Sequence, residues 1–144
     1  LIRRQALEKT GLFDEAFFMY AEDVDLCWRM WLAGYSCVNV PEAVCEHHHT
    51  AVELYRTRRS YFSVRNAILL RYAYGTGAEI RTALARWMRE AGSLAFKKSR
   101  FAEAFPVALA AAPHIFFIPH FLTKRTALRG NADFERIKAQ WINF

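Results

Sequence analysis

The longest regular pattern in this sequence is an apolar repeat that runs through residues 52–74. Tyr55, Phe62 and Leu69 recur every seven residues, a spacing that places their side chains on one face of a helix. A break that contains two glycines follows, and a second helical pattern extends over residues 79–96. The sequence therefore predicts two consecutive helices within a chain of 144 residues, which is long enough for one domain with a hydrophobic core.

The segment before this repeat mixes helical and extended patterns. Helices are predicted over residues 2–10 and 23–33, because a glycine follows each of them and glycine suits the left-handed position after a helix. Residues 35–40 and 43–47 are predicted as short strands, with a proline between them. Residues 1–50 therefore differ in their expected secondary structure from the helical remainder of the chain.

Residues 101–122 are apolar enough to raise the question of a membrane span, which needs about 20 such residues. Three prolines argue against one continuous helix. Burial of Glu103, His114 and His120 in a membrane would also cost free energy. Basic residues flank the segment on both sides, which favours short helices lying on an anionic membrane surface. Packing of these helices against the rest of the domain or against a partner is an equally good interpretation.

The net charge of +6 is distributed unevenly. Residues 1–50 carry four Lys or Arg against eight acidic residues, whereas residues 56–100 carry eleven against two.

The 24% of charged residues exclude both a disordered tail and a protein with several membrane spans. Three cysteines without a C-x-x-C pair favour a reducing compartment. The chain begins with Leu1 and shows no signal peptide, so we expect an internal start.

The cluster Glu22-Asp23-Val24-Asp25 lies where the second helix is predicted to begin. At 100° per residue, Glu22, Asp25 and Arg29 share one face, and the last two are four residues apart and able to pair. Asp23 points instead toward Cys27, on an apolar flank where a carboxylate loses solvation and becomes a candidate general base. Two plainer interpretations stay open: the acids cap the helix, or Asp-x-Asp holds a divalent cation.

The run His47-His48-His49 follows the second predicted strand. Neutral imidazole binds borderline metals, and on an extended chain only His47 and His49 share a face. A structural zinc site with Cys37 and Cys45 is conceivable, although the spacing matches no standard zinc pattern. A solvated histidine run without a function is the remaining alternative.

These pieces together resemble the closing part of the catalytic domain of inverting family 2 glycosyltransferases, especially bacterial rhamnosyltransferase-like members. The matching string is GLFDEAFFMYAEDVDLCWR over residues 11–29, followed by Gly34-Tyr35, Pro41-Glu42-Ala43 and His47. Farther along, Arg65-Asn66 and the residues around Arg58-Arg59 are similar to the helix that follows the catalytic motif in this family.

The resemblance implies a fold class and a division of the chain. The expected fold is α/β, namely the C-terminal fragment of a GT-A, Rossmann-like glycosyltransferase domain followed by a mainly α-helical tail. Residues 1–50 would form the acceptor-side end of the catalytic domain and residues 51–100 a basic α-helical extension. Residues 101–144 would form an apolar and then basic helical tail, with a candidate membrane-interfacial part.

The resemblance also implies roles for particular residues. Asp23 would deprotonate the acceptor hydroxyl, which then attacks the anomeric carbon in line, and Glu22 would shape the acceptor pocket. His47 would complete the site of a divalent cation, Mg or Mn, that binds the diphosphate. The remaining residues assigned to substrate binding are Asp25, Tyr20, Arg58 and Arg59, the two arginines as donors to the leaving diphosphate.

The implied partners are a nucleotide-sugar donor and a glycan or lipid-linked acceptor, with peripheral membrane contact. We therefore expect a cytoplasmic location, with part of the protein at the inner face of the cell membrane. The residues that bind the nucleotide in this family have no counterpart here, so we expect the chain alone to be inactive.

Two other functions are compatible with the sequence. Residues 56–100 are basic enough for a nucleic-acid-binding module, but the arginines are spread around the helix. Tyr61, Phe62 and Tyr72 fit a core stripe better than a stacking platform, so no nucleic-acid partner is expected. The second alternative is a non-catalytic module at a membrane interface, in which the acids are helix caps and the histidines are solvated.

Overall fold

The structure is a computed structural model that describes residues 1–46, 53–93, 114–131 and 133–140, with only the backbone described for residues 53–60, 114, 115 and 140. Six helices lie in these ranges: α1 (Arg4–Thr10), α2 (Glu22–Leu32), α3 (Glu53–Tyr74), α4 (Gly77–Gly92), α5 (His114–Arg129) and α6 (Phe134–Gln140). The predicted helices over residues 2–10, 23–33 and 52–74 are confirmed, and the helix predicted over residues 79–96 is observed as α4.

The central element is α3, which packs against both α4 and α5. Its buried positions include Ile68, Leu69 and Ala73, as expected for a helix that is covered on more than one side. The main core cluster joins α3 to the loop before α2 and to α2, α5 and α6, and it contains Phe17, Trp28, Leu69, Leu70, Ala73, Tyr74, Phe121, Phe134 and Ile137. This core fixes the position of the start of α2 relative to α3 and α5.

Aromatic contacts strengthen this core at the points where the helices meet. The ring of Trp28 on α2 stacks on Tyr74 of α3 with 4.7 Å between centroids. Phe17, in the loop before α2, meets Phe121 of α5 edge to face at 5.3 Å. Such pairs contribute about 0.5–1.5 kcal/mol each beyond the area that they bury.

A capping box begins α4 and links it to the C-terminal helix. The Thr76 hydroxyl accepts a hydrogen bond from the backbone N–H of Glu79 (3.2 Å), and the Glu79 carboxylate accepts one from the backbone N–H of Thr76. Lys138 of α6 donates to the same carboxylate at 2.9 Å. The box satisfies two N–H groups that have no partner within the helix, and the lysine ties α6 to α4.

The predicted α/β class is wrong for the described part of the chain, which contains helices and turns and no strand. The chain reverses after α2, where the N–H of Tyr35 donates to the carbonyl of Met30, and it then runs without a strand partner. Val38, Val40 and Val44, which lie in the two predicted strands, are exposed. A strand is stabilised by its neighbours, so a segment of suitable residue types without a neighbouring strand does not form one. His47, the last residue of the second predicted strand, lies outside the described residues.

The described end of the apolar segment 101–122 belongs to α5, which contains Pro119. One side of this helix is buried through Phe121, whereas Phe116 is 86% exposed and Leu122 is also exposed. Among the described residues, no helix combines the length and apolar character that crossing a membrane requires.

Candidate functional site: the first turn of α2

The loop that leads into α2 has an unusual backbone. Phe18, Tyr20 and Ala21 have φ angles of 61°, 66° and 71°, in the left-handed region that residues with a Cβ rarely adopt. Each costs on the order of 1–2 kcal/mol unless the surroundings hold it. Ala21 is the N-cap of α2 and provides no side-chain cap. The conformation of this loop must therefore be maintained by contacts from elsewhere in the fold.

Those contacts come from α3. The side-chain amide nitrogen of Asn66 lies 2.6–2.8 Å from the carbonyl oxygens of Phe17, Met19 and Tyr20. The neighbouring Arg65 donates to the carbonyl of Ala16 at 2.8 Å. These bonds satisfy loop carbonyls that no regular secondary structure could pair.

Glu22 and Asp23 are the first two residues of α2 and lie directly after this loop. Asp23 is exposed, and its Oδ1 accepts a hydrogen bond from the backbone N–H of Val24 at 2.8 Å. The expectation that an apolar flank desolvates Asp23 is therefore not met. Glu22 is partly buried, and its Oε2 atom is buried without a hydrogen-bond partner among the described residues. The two acids thus present one exposed and one partly buried carboxylate at the start of the helix.

Cys27 lies one turn farther along α2 than Asp23. Burial raises the pKa of the Cys27 thiol to about 11, and a hydrogen bond with Cys37, the charge on Cys37 and the charge of Asp23 add to the increase. The predicted orientation of Asp23 toward Cys27 stays a prediction. Cys27, Cys37 and Cys45 are free thiols.

Asp25, only two residues after Asp23, has entirely different surroundings. Its side chain is 0% exposed, and Oδ2 accepts from Nε of Arg29 at 2.9 Å, which confirms the predicted pairing of these two residues. Oδ1 accepts from the Tyr74 hydroxyl at 2.7 Å and forms an ion pair with Lys124, whose Nζ lies 2.6 Å away. Burial and the adjacent Asp25 charge raise the pKa of Tyr74 well above its ordinary value. Asp25 thus joins α2, α3 and α5 at a buried, charged centre.

Asp14 extends this network toward solvent. Its Oδ2 accepts from Lys124 at 2.7 Å and from Nε2 of His120 at 2.9 Å, and its Oδ1 accepts from the N–H of Ala16 at 3.1 Å. Burial alone would raise the pKa of Asp14, but these hydrogen bonds and the charge of Lys124 lower it to about 2. Asp14 is therefore a carboxylate held ionised by its partners.

An open cleft of about 590 Å³ lies beside this network and is lined by Leu12, Asp14, Arg29, Pro119, His120, Thr123, Lys124 and Ala127. Arg29 and Lys124 are committed to protein partners: Arg29 also donates to the carbonyls of Thr10 and Leu12. Glu22 and Asp23 do not line the cleft. The cleft is thus a feature of the supporting network and is separate from the two carboxylates that the motif suggested.

The structure brings only part of the predicted site together. Tyr20 lies in the strained loop next to Glu22 and Asp23, and its carbonyl is one of those bound by Asn66. Arg58 and Arg59 lie on α3, but their side chains are outside the description. His47 also lies outside it. In the described part of the chain, no three His, Cys, Asp or Glu side chains are placed to share a metal ion.

Several residues of the site were not predicted. Lys124 and Tyr74 carry no motif that connects them to Asp25, from which they are separated by 99 and 49 residues in sequence. Asn66 and Arg65 were recognised only as part of a resemblance, without a role. A buried amide or cation within an apolar helical repeat is the signal that could have marked Asn66 and Arg65, because such groups require partners.

Comparison with known proteins identifies the family. The model of the family described as "Glycosyl transferase family group 2" matches residues 1–130, and the chain belongs to this family. The chain is 52% identical over 48 residues to N-acetylglucosaminyl-diphospho-decaprenol L-rhamnosyltransferase of Mycobacterium tuberculosis, a match that covers 33% of this chain and 16% of that protein. It is 38% identical over 65 residues to rhamnosyltransferase WbbL of Escherichia coli K12, covering 44% of this chain and 22% of that protein.

The chain therefore spans well under a third of the length of these relatives. No solved structure matches it. The resemblance to rhamnosyltransferase-like members of family 2, inferred from the string GLFDEAFFMYAEDVDLCWR, is confirmed.

Proposed function

We propose that this chain provides the acceptor-side carboxylates of an inverting glycosyltransferase that moves a sugar from a nucleotide-sugar donor to a hydroxyl group. The observation that supports this most directly is the exposure of Asp23 at the start of α2, beside a network that buries Asp25 and holds the preceding loop. An exposed carboxylate on a fixed support can reach a hydroxyl of a bound acceptor.

In this proposal Asp23 accepts the proton of the acceptor hydroxyl as its oxygen attacks the anomeric carbon. The bond from that carbon to the nucleoside diphosphate breaks on the opposite side, and the bonding electron pair leaves with the diphosphate. Configuration at the anomeric carbon is inverted, because attack and departure are in line. Glu22, which is partly exposed beside Asp23, is proposed to help shape the acceptor pocket.

The other assignments rest on the family and on its named members. Tyr20 is proposed to contact the acceptor, because its loop adjoins Glu22 and Asp23. Arg58 and Arg59 are proposed to face the leaving diphosphate. A divalent cation, Mg or Mn, with His47 as a ligand stays a prediction, because the described residues assemble no metal site and His47 lies outside them. No step above depends on that ion.

Asp25 was predicted to bind substrate, and we propose a different role for it. Its carboxylate is fully buried, accepts hydrogen bonds from Arg29 and Tyr74, and forms an ion pair with Lys124. A carboxylate with this many internal partners supports the site instead of contacting a ligand.

The acceptor is proposed to be a glycan or a lipid-linked glycan. The mycobacterial relative's name specifies a sugar joined through a diphosphate to decaprenol, which supports a lipid-linked acceptor for this chain as well. Peripheral contact with the inner face of the cell membrane would then bring the enzyme to its acceptor. The exposed Phe116 and Leu122 of α5 are suited to such contact.

The division of the chain also stays a proposal: residues 1–50 as the acceptor-side end of the catalytic domain, 51–100 as a basic helical extension and 101–144 as a tail that meets the membrane. We further propose that the chain needs donor-binding residues outside it for activity.

The experiment is sugar transfer by the enzyme that carries this chain, with Asp23→Asn compared with Asp133→Asn. Asp133 is a matched control, because it is an exposed aspartate just before α6. Asp23→Asn should reduce kcat by a factor of about 10²–10⁴ while donor binding is retained. Asp133→Asn should leave kcat unchanged. Transfer at the normal rate by the folded Asp23→Asn enzyme would rule out Asp23 as the base.

A further inference from the structure

Arg65 and Asn66 are polar residues in the middle of the helix that forms the core. Asn66 is 0% exposed and Arg65 is 4% exposed, between the buried Val64 and Ile68. Apolar side chains would ordinarily fill such positions, because a buried polar group needs partners to offset its lost hydration. Their described hydrogen bonds to other elements go to the loop before α2.

The two side chains form an ordered relay. Nη1 of Arg65 donates to Oδ1 of Asn66 at 2.7 Å, which fixes the amide so that its nitrogen faces the loop. Nη2 of the same guanidinium donates to the carbonyl of Ala16, and Cζ of Arg65 lies 4.3 Å from the ring centroid of Phe117 on α5. The guanidinium therefore orients the amide, and α5 holds the guanidinium in place.

The carbonyls that Asn66 binds lie on or next to the residues whose backbone is least favourable. The amide contacts the carbonyls of Phe17, Met19 and Tyr20, and the left-handed residues are Phe18, Tyr20 and Ala21. Without these donors, a loop without glycine at these positions would relax toward ordinary φ values. Because Ala21 is the N-cap of α2, such a change would alter where the first turn places Glu22 and Asp23.

We infer that Asn66, oriented by Arg65, is a positioning residue that sets the placement of Glu22 and Asp23 by holding the loop over residues 16–21 in its left-handed conformation. This inference rests on the proposed function of the two acids. Asn66 does not touch the reacting atoms; it acts through the backbone of the loop.

The primary test is Asn66→Asp in the enzyme that carries this chain. The substitution keeps the size of the side chain but replaces the donating amide with acceptor oxygens, which cannot bind the loop carbonyls. We expect kcat for transfer to fall about 10- to 100-fold with donor binding unchanged, because small displacements of a reacting group have effects of this size.

A second substitution separates positioning from a general contribution to folding. Ala21→Gly in the Asn66→Asp background should restore at least part of kcat, because glycine adopts a positive φ without a steric penalty. A merely structural role for Asn66 predicts no such recovery, since added glycine does not restore buried hydrogen bonds. Absence of recovery would therefore overturn the inference.

The matched control is Asn131→Ala. Asn131 also donates its side-chain amide to the backbone of α2, to the carbonyl of Leu32 at 2.9 Å, but at the opposite end of the helix. Its removal should leave kcat within about twofold of the unmodified enzyme. A loss equal to that of Asn66→Asp would show that any contact to α2 matters equally and would contradict the inference.

Two further measurements keep the test decisive. If Asn66→Asp does not fold, Arg65→Lys replaces it: lysine retains the charge but cannot donate from one planar group to both Ala16 and Asn66, and kcat should fall about tenfold. Amide hydrogen exchange at Met19 and Asp25 reads the loop independently of transfer and should accelerate in either variant.

The outcomes distinguish the inference from the proposed function. Full activity in Asp23→Asn together with faster loop exchange would reject the base assignment while keeping the role of Asn66 in the loop. Loss of activity in Asp23→Asn, with unchanged kcat and exchange in folded Asn66→Asp, would reject the inference alone.

Discussion

Asp23 and Asp25 lie two residues apart in the first turn of α2, and they have opposite surroundings. Asp23 is exposed and accepts a hydrogen bond from the adjacent backbone N–H. Asp25 is fully buried, accepts hydrogen bonds from a guanidinium and a phenol, and forms an ion pair with an ammonium group. The comparison teaches that one acidic motif contains two kinds of carboxylate, one available to a ligand and one that holds three helices together.

Glu22 is intermediate between them. Its Oε2 is buried like Asp25 but lacks a hydrogen-bond partner among the described residues. A buried acceptor without a partner lowers stability, and natural proteins tolerate such groups mainly where function requires them. Glu22 therefore differs from Asp25 in that its buried oxygen has no hydrogen-bond partner among the described residues.

The largest effect on stability is expected when Lys124, the ammonium partner of the buried Asp25, is removed. Lys124→Met leaves the buried Asp25 without its ammonium partner and also removes a donor to Asp14. Breaking a buried ion pair in this way costs about 3–5 kcal/mol, which denaturant unfolding would measure. Lys9→Met is the control, because the exposed Lys9 binds a backbone carbonyl and lies over the ring of Tyr35 but pairs with no described carboxylate, and it should cost less than about 1 kcal/mol. Equal losses of unfolding free energy in Lys124→Met and Lys9→Met would contradict the description of Asp25 as a buried, charged centre.

A smaller effect is expected from Asp14 at acid pH. Its pKa in the folded protein is lowered from an ordinary value of 3.8 to about 2. The pKa of Asp14 is lower in the folded protein than in the unfolded chain. Its contribution to stability is therefore complete above about pH 4 and is lost as the pH falls toward 2. The loss should be on the order of 1–2 kcal/mol, and Asp14→Asn should remove this part of the pH dependence. Urea unfolding from pH 5 to pH 2 would measure this loss of unfolding free energy. The same dependence of unfolding free energy on pH in Asp14→Asn would contradict the lowered pKa of Asp14.

The smallest effect on stability is expected for Glu22→Gln, which should stabilise the protein slightly where the two substitutions above destabilise it. Removing the charge from a partly buried carboxylate that lacks a partner for Oε2 should leave stability unchanged or raise it by up to about 1 kcal/mol. Transfer should decrease, because the proposed acceptor pocket loses a charged side chain. Thermal unfolding and acceptor KM would be measured together. Destabilisation by more than about 1 kcal/mol would place Glu22 with Asp25 as a structural residue.

The parts of this account that the sequence predicted are local. The main helices follow from apolar periodicity, and the pairing of Asp25 with Arg29 follows from their spacing of four residues. The strands predicted over residues 35–40 and 43–47 are absent from the described residues 35–46, because residue types that suit a strand do not supply the neighbouring strand.

The parts that the sequence could not predict are long-range. The left-handed loop contains no glycine at Phe18, Tyr20 or Ala21, so no residue type marks it. Its conformation depends on Asn66, which is 46 residues from Tyr20. Lys124 is likewise brought to Asp25 only by the packing of α5 against α3.

The central claim is that Asp23 serves the reaction and Asp25 serves the fold. It is tested most directly by measuring unfolding free energy and sugar transfer side by side for Asp23→Asn and Asp25→Asn in the enzyme that carries this chain. We predict that Asp23→Asn changes stability by less than about 1 kcal/mol and abolishes most transfer, whereas Asp25→Asn lowers stability by roughly 2–4 kcal/mol. Equal stabilities for the two variants, or normal transfer by Asp23→Asn, would contradict the claim.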